Sequence, residues 1–189
     1  MKDNKGQISV NLLPHYHYKK IEDITVEDIK SWGVKGVAID IDNTICYDAT
    51  KKFIGNSRQW VEYIIKSGIP IMIVSNANAL RAVKIGKMLG IPCIPLAKKP
   101  SPQPFMKAAD ILGLDIKEIA FIGDQIFSDI KGANDVGAVS VYVEPPAREI
   151  VFYFFYRYRR FREKPVIKRM FEIEKGNKVR ERNPRQSGV

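Results

Sequence analysis

Three features of the 189-residue sequence predict an α/β fold built on a doubly wound parallel sheet. Five short apolar runs, rich in Val and Ile, do not alternate with polar residues, as expected of strands covered on both faces. Four longer stretches of helical character lie between the runs, and a glycine follows each one, where a left-handed C-terminal cap belongs. Strand and helix in strict alternation give a sheet with helices on both faces.

The elements follow in order. Ile24 to Trp32 reads as a short helix at the sheet edge, with Thr25 as N-cap three residues before Asp28. Gly36 to Asp42 is the first strand. Ile45 to Ile54 is polar and irregular, and reads as a loop or small hairpin at the mouth of that strand rather than as core. The remaining strands are Pro70 to Ser75, Ile91 to Pro95, Ile119 to Gly123 and Ala138 to Val143. The helices are Ser57 to Ser67, Ala77 to Leu89, Ser101 to Leu112 and Ile126 to Val136, followed by Gly68, Gly90, Gly113 and Gly137. This gives a lead-in over 1–34, a core over 35–147 and a C-terminal extension over 148–189.

Composition narrows the class. With 45% hydrophobic residues a core can form and wholesale disorder is excluded. The two cysteines, Cys46 and Cys93, exclude a disulfide scaffold or zinc ribbon and suit a reducing compartment. The sequence has no uncharged apolar run of about 18 residues and no apolar N-terminal signal core. A soluble or peripheral protein on the cytoplasmic or organelle-matrix side is expected. The net charge of +10 is uneven, because residues 148–189 hold 13 Lys and Arg against 5 Asp and Glu. Such asymmetry points to a polyanionic partner.

Ligands of open α/β sheets bind beyond the carboxyl ends of the strands. Asp40 lies inside an otherwise apolar strand, where an unpaired charge would cost several kcal/mol. A divalent cation is the most economical compensation. Asp40 and Asp42, two residues apart, share one face, so one can attack while the other moves a proton; Asp42 or Asn43 would alternatively cap a following helix. Asp124 and Asp129 add oxygens of the kind Mg²⁺ prefers, or else serve as a helix cap and a solvent-facing acid. Ser75, with the backbone N–H groups of Asn76 and Ala77, makes a phosphate cradle or an ordinary N-cap. Lys99, held before Pro100, either neutralises a phosphoryl oxygen or sits in solvent.

The conjunction of these sites resembles the haloacid dehalogenase (HAD) superfamily of aspartate-dependent phosphatases. Its four motifs match Asp40-Ile-Asp-Asn-Thr44, Val74-Ser-Asn76, Lys99-Pro100 and Gly123-Asp-Gln-Ile-Phe-Ser-Asp129. The resemblance implies a HAD-like Rossmannoid core and Mg²⁺-dependent phosphomonoester hydrolysis through an aspartyl-phosphate. In that scheme Asp40 is the nucleophile and Asp42 the acid and base. Ser75, Asn76 and Lys99 bind phosphate, and Asp40, Asp124 and the Asp42 backbone carbonyl hold Mg²⁺, with Thr44 and Asp129 in support.

Superfamily cap domains insert between the first and second or the second and third motifs. Here 31 positions separate Thr44 from Ser75 and 24 separate Ser75 from Lys99, so no cap domain is expected. An open site suits a large or surface-presented substrate: a lipid head group, a nucleic-acid end, a phosphoprotein, or a sugar phosphate gripped by an oligomer. The uncapped layout, Leu12-Leu-Pro-His-Tyr16 and Ala97-Lys-Lys-Pro-Ser-Pro-Gln-Pro-Phe105 are similar to the YqeG-type class IIIA branch, which includes phosphatidylglycerophosphate phosphatases. That branch often carries Asn-Arg in the helix after the last strand, where Tyr156-Arg157 and Tyr158-Arg159 stand here.

The C-terminal extension mixes aromatics with Arg157, Arg159, Arg160 and Arg162. This combination suits an anionic phospholipid surface, with each basic residue worth about 1 kcal/mol. Stacking on single-stranded nucleic acid is a second reading; the third is a helix over Ile150 to Tyr156 docked on the sheet, with the rest a solvated, irregular end. The expected function is dephosphorylation of phosphatidylglycerophosphate or a similar lipid phosphate at a membrane. The alternatives are a phosphatase for a soluble or nucleic-acid phosphomonoester and a non-catalytic lipid- or RNA-binding module. His15 and His17 are read as surface or edge residues.

Overall fold

The computed structural model describes residues 9–146 and 153–182, and within the last helix the side chains of 158 and 160–175. Six strands form one sheet: β1 (Tyr16–Tyr18), β2 (Gly36–Ile39), β3 (Ile71–Val74), β4 (Cys93–Ile94), β5 (Ile119–Gly123) and β6 (Val139–Val143). Their order is β1-β6-β5-β2-β3-β4, and every pair is parallel. From β2 the chain builds outward to β3 and β4, then returns to add β5 and β6 on the other side. The order therefore reverses between β2 and β5, where an α/β sheet opens a crevice at its carboxyl edge.

The strands divide their side chains with period two. Val37 and Ile39, Ile71 and Ile73, and Ala120 and Ile122 face one core, covered by α1 (Val26–Ser31), α2 (Ser57–Lys66) and α3 (Ala79–Leu89). Ala38, Met72, Val74 and Phe121 face the other, under α4 (Pro102–Leu112) and α5 (Lys131–Asp135). The last helix, α6 (Tyr153–Arg182), packs Val166 and Met170 against Leu12, Ile126, Ile130 and Tyr142.

Local signals account for the boundaries. Thr25 and Asp28 form a reciprocal capping box at α1. Gly90 and Gly113 close α3 and α4 in the left-handed region, at φ 69° and 66°.

Four features differ from expectation. β1 was not foreseen, because a three-residue edge strand carries almost no periodic signal; its register is set by β6. Ile45 and Cys46 are buried in the core although their segment is polar. Short bridges of Cys46 to Asp42 and Phe53 fold the loop so that its polar residues face outward. The stretch after Gln125 begins as a wide π-turn over Ile126–Ile130 before tightening into α5. The extension becomes one helix of 30 residues rather than an irregular end.

Candidate active site

Asp40, Asp124, Asp129, Lys99 and Asn76 converge at the crevice between β2 and β5. Asp40 follows β2 and stays in register with β5 through its N–H to the Ile122 carbonyl, 2.9 Å. Asp124 follows β5 directly and is fully buried. Asp129 reaches back from the π-turn, where its Oδ2 accepts the Gln125 N–H at 3.1 Å. That return path needs Gly123, because a Cβ there would lie 2.4 Å from the Asp129 carboxylate. The reading of Asp129 as a solvent-facing acid does not hold, since it is 3% exposed.

Lys99 ties the acids together. Its ammonium donates to Asp40 Oδ1 at 2.8 Å and to the Val74 carbonyl at 2.6 Å, and it forms an ion pair with Asp129 Oδ1 at 2.6 Å. Burial pushes this lysine's pKa down, but Asp129 and Asp40 outweigh it and raise the value. Asn76 fixes the lysine's backbone: its Oδ1 accepts the Lys99 N–H at 2.8 Å and its Nδ2 donates to the Lys99 carbonyl at 3.2 Å. Lys99 is thus buried in the cluster rather than solvated. The Ser75 hydroxyl accepts the Ala77 N–H at 3.2 Å, which leaves its proton to donate, while the N-cap of α3 is Asn78.

Carboxylate oxygens of Asp40, Asp124 and Asp129 lie within 4.8 Å of one another. Burial pushes the Asp124 carboxyl up to about 8, against the pull of Arg160, and the Asp129 carboxyl up to about 6, against the pull of Lys99. Asp124 Oδ1 is buried without a hydrogen-bond partner among the described residues. An orphaned oxygen among three buried acids fits a hard divalent cation with oxygen ligands. Asp129 therefore stands in the acidic cluster itself. The Asp42 side chain does not, because its carboxylate meets Arg81 at 2.5 Å and accepts the Ala49 N–H at 3.0 Å. Burial raises the Asp42 pKa; the Arg81 hydrogen bond opposes this and Asp40 adds to it. Thr44 is 3% exposed, with its hydroxyl unpartnered among the described residues.

Sequence reasoning missed Arg81, Arg160 and Glu163 as site residues. Arg81 comes from α3 and also donates to the Thr50 carbonyl at 2.9 Å. The sequence groups Arg160 with the membrane-facing basic residues; instead its guanidinium pairs with Asp124 Oδ2 and donates to the Asp124 carbonyl at 2.6 Å. Glu163, fully buried, takes Arg160 at 2.7 Å and the Ile126 N–H at 2.9 Å. The correction has a simple cause: at i,i+3 these two residues share the inward face of α6, and a charge buried there must be paired. Only the i,i+3 spacing of Arg160 and Glu163 was visible beforehand. Arg162 is exposed, with its guanidinium 5.0 Å from the Phe127 ring. The side chains of Arg157 and Arg159 lie outside the described residues. Among the described residues no helix is long and apolar enough to cross a membrane.

Residues 7–148 match the model of the family described as mitochondrial PGP phosphatase. The chain is 36% identical over 139 residues to the probable phosphatase YqeG of Bacillus subtilis (strain 168), spanning 71% of this chain and 78% of the relative. It is 35% identical over 89 residues to a phosphoglycolate phosphatase of Neisseria meningitidis, spanning 41% of this chain and 37% of that protein. The crystal structure of an uncharacterized protein from Listeria monocytogenes serotype 4b superposes with a TM-score of 0.51 at 18% identity, covering 63% of this chain and 83% of that one, a likeness of fold alone. With the acidic cluster and its lysine in place at the sheet's crevice, the chain belongs to the PGP phosphatase family, phosphoric monoester hydrolases of the HAD superfamily and the YqeG type.

Proposed function

We propose that the protein hydrolyses a phospholipid phosphomonoester, phosphatidylglycerophosphate, at a membrane surface, with Mg²⁺ as cofactor. The observation that carries the chemistry is Asp40 held at 2.8 Å by Lys99 inside a cluster of three buried acids. Asp40, Asp124 and Asp129 would hold the ion, which when bound offsets the repulsion between the phosphate and the acids.

The protein's own residues do the rest. Asp40 attacks phosphorus and becomes an aspartyl-phosphate. Lys99 and the Ser75 hydroxyl stabilise charge on the equatorial oxygens. Asp42, biased toward its protonated form by burial, gives its proton to the leaving alkoxide after turning from Arg81, then as carboxylate draws a proton from the attacking water. The hydroxyl of that water ends on the released phosphate, and Asp40 is regenerated.

The lipid part of the reading is supported by the family match and by α6. Tyr158 and Phe161 are 67% and 69% exposed, and Lys164, Lys168 and Arg169 are exposed on the same helix. Apolar and basic groups side by side suit an anionic interface.

The test is phosphate release, with and without Mg²⁺, from phosphatidylglycerophosphate in mixed micelles, soluble phosphomonoesters and 5′-phosphorylated oligonucleotides. Mg²⁺-dependent release from the lipid, abolished in Asp40→Asn, is the expected result. Release from the soluble or oligonucleotide substrates alone would overturn the lipid assignment.

A further inference from the structure

Beside the acidic cluster lies a cleft of about 290 Å³ whose walls come from three parts of the chain. Its floor is Lys99 with Asn76. One wall is Phe127 and Ser128 of the π-turn, and the other is Tyr158 and Arg162 of α6. Tyr158 and Arg162 stand one helical turn apart, at i,i+4, and so project from the same side of α6. The phosphate-binding lysine and an arginine therefore share one small cavity.

The chemistry of that wall is specific. Arg162 lies over the Phe127 ring at 5.0 Å, which orients its planar fork without consuming its charge. Among the described residues it pairs with no carboxylate. Glu163 also lines the cleft, but its charge is taken up by Arg160 and the Ile126 N–H. The Ser128 hydroxyl accepts from Asn76 Nδ2 at 3.4 Å and keeps its proton to donate. The cavity thus presents a fixed cation and a hydroxyl donor, with its one acid already neutralised.

We infer that this cleft is the leaving-group subsite, and that Arg162 binds a second anionic group on the substrate's alcohol, a phosphodiester or carboxylate a few carbons from the scissile phosphate. The inference rests on the phosphatase reading and gives it a substrate class. At the small end of ligand cavities, the cleft holds a polar head group and leaves acyl chains outside, past Tyr158 at its mouth. In an uncapped enzyme α6 then does the selecting that a cap would do elsewhere. Arg162 works as a recognition residue inside the site, a role separate from attraction to a bulk membrane.

The experiment compares kcat/KM of wild type, Arg162→Ala and Arg162→Lys on three substrates: micellar phosphatidylglycerophosphate, its deacylated head group, and glycerol 3-phosphate, which lacks the second anion. The readout is the preference for each doubly anionic substrate over glycerol 3-phosphate, a ratio independent of the fraction of folded protein. Arg162→Ala is expected to lower that preference at least tenfold for both lipid and deacylated head group, mainly through KM, with Arg162→Lys in between because an ammonium lacks the fork.

A preference unchanged within twofold overturns the subsite, as does a wild type with no preference. A loss seen for the micellar lipid but absent for the deacylated head group also overturns it, and moves Arg162 to the membrane surface. Each of these leaves the phosphatase reading standing. A wild type that releases phosphate from none of the three fails that reading itself and takes the subsite with it.

Discussion

Arg160 and Asp124, 36 residues apart, meet so that one guanidinium grips both the carboxylate and the main-chain carbonyl of the same aspartate. The consequence is directional. With Oδ2 and the carbonyl committed to Arg160, Asp124 Oδ1 is left without a partner among the described residues, close to the oxygens of Asp40 and Asp129. Arg160 thus holds the Asp124 carboxylate and leaves Oδ1 to the acidic cluster.

Removing Arg160 should therefore weaken divalent binding. Outer partners of metal ligands are typically worth about 10–100-fold in affinity, so Arg160→Ala is expected to raise the Mg²⁺ or Mn²⁺ dissociation constant about tenfold by calorimetry. Added guanidinium should restore part of the loss. An unchanged dissociation constant with a lowered Tm would reduce Arg160 to a packing role.

Gly123→Ala tests the approach of Asp129 to β5. The new Cβ would meet the carboxylate at 2.4 Å, and overpacking of this kind costs about 1–3 kcal/mol. The variant should fold with a Tm lowered by several degrees and show phosphatase activity reduced by more than tenfold. Near-normal activity would mean that the π-turn relaxes without moving Asp129.

Lys99→Met keeps the side chain's bulk and removes its charge. Asp40 and Asp129 would then stand buried without their shared cation, and breaking such a pair costs about 3–5 kcal/mol. Denaturant unfolding should show that loss without a divalent ion and a smaller one at saturating Mg²⁺. Equal losses in both conditions would argue against the acids as the ion's ligands.

Met170 anchors α6 in the cluster with Tyr142 and Ile130 and is 5% exposed. Met170→Ala should cost about 2–3 kcal/mol, and because α6 carries Arg160 it should also weaken divalent binding. A stability loss with wild-type Mg²⁺ affinity would show that Arg160 reaches Asp124 independently of the helix's packing.

His15 gives a pH dependence. Burial pushes its pKa below the ordinary 6.5, and its Nδ1 accepts the Ser140 N–H at 3.1 Å, which requires the neutral ring. The unfolded state binds more protons, so this contribution to stability is full above pH 6.5 and is lost as pH falls below it toward the folded-state value. The Tm gap between wild type and His15→Asn should be larger at pH 7.5 than at pH 5.5. A gap that widens on acidification would reverse the sign.

The sheet's central strands, the helices between them and the acids and lysine at their ends were legible in the order of residues alone. Strands buried on both faces need continuous apolar runs, helix ends need residues such as Gly90 and Gly113, and a parallel sheet puts every strand's carboxyl end on one edge. Asp40, Ser75 and Asp124 were legible because each follows its strand directly, and Lys99 because it stands before Pro100 in the loop after β4. The tertiary structure alone decided what those acids touch. Whether Asp42 faces a cation or Arg81, and whether Arg160 meets a membrane or Asp124, depends on how α3 and α6 dock across dozens of residues of chain. A buried charge takes the partner that packing brings within about 3 Å, and no local periodicity encodes that choice.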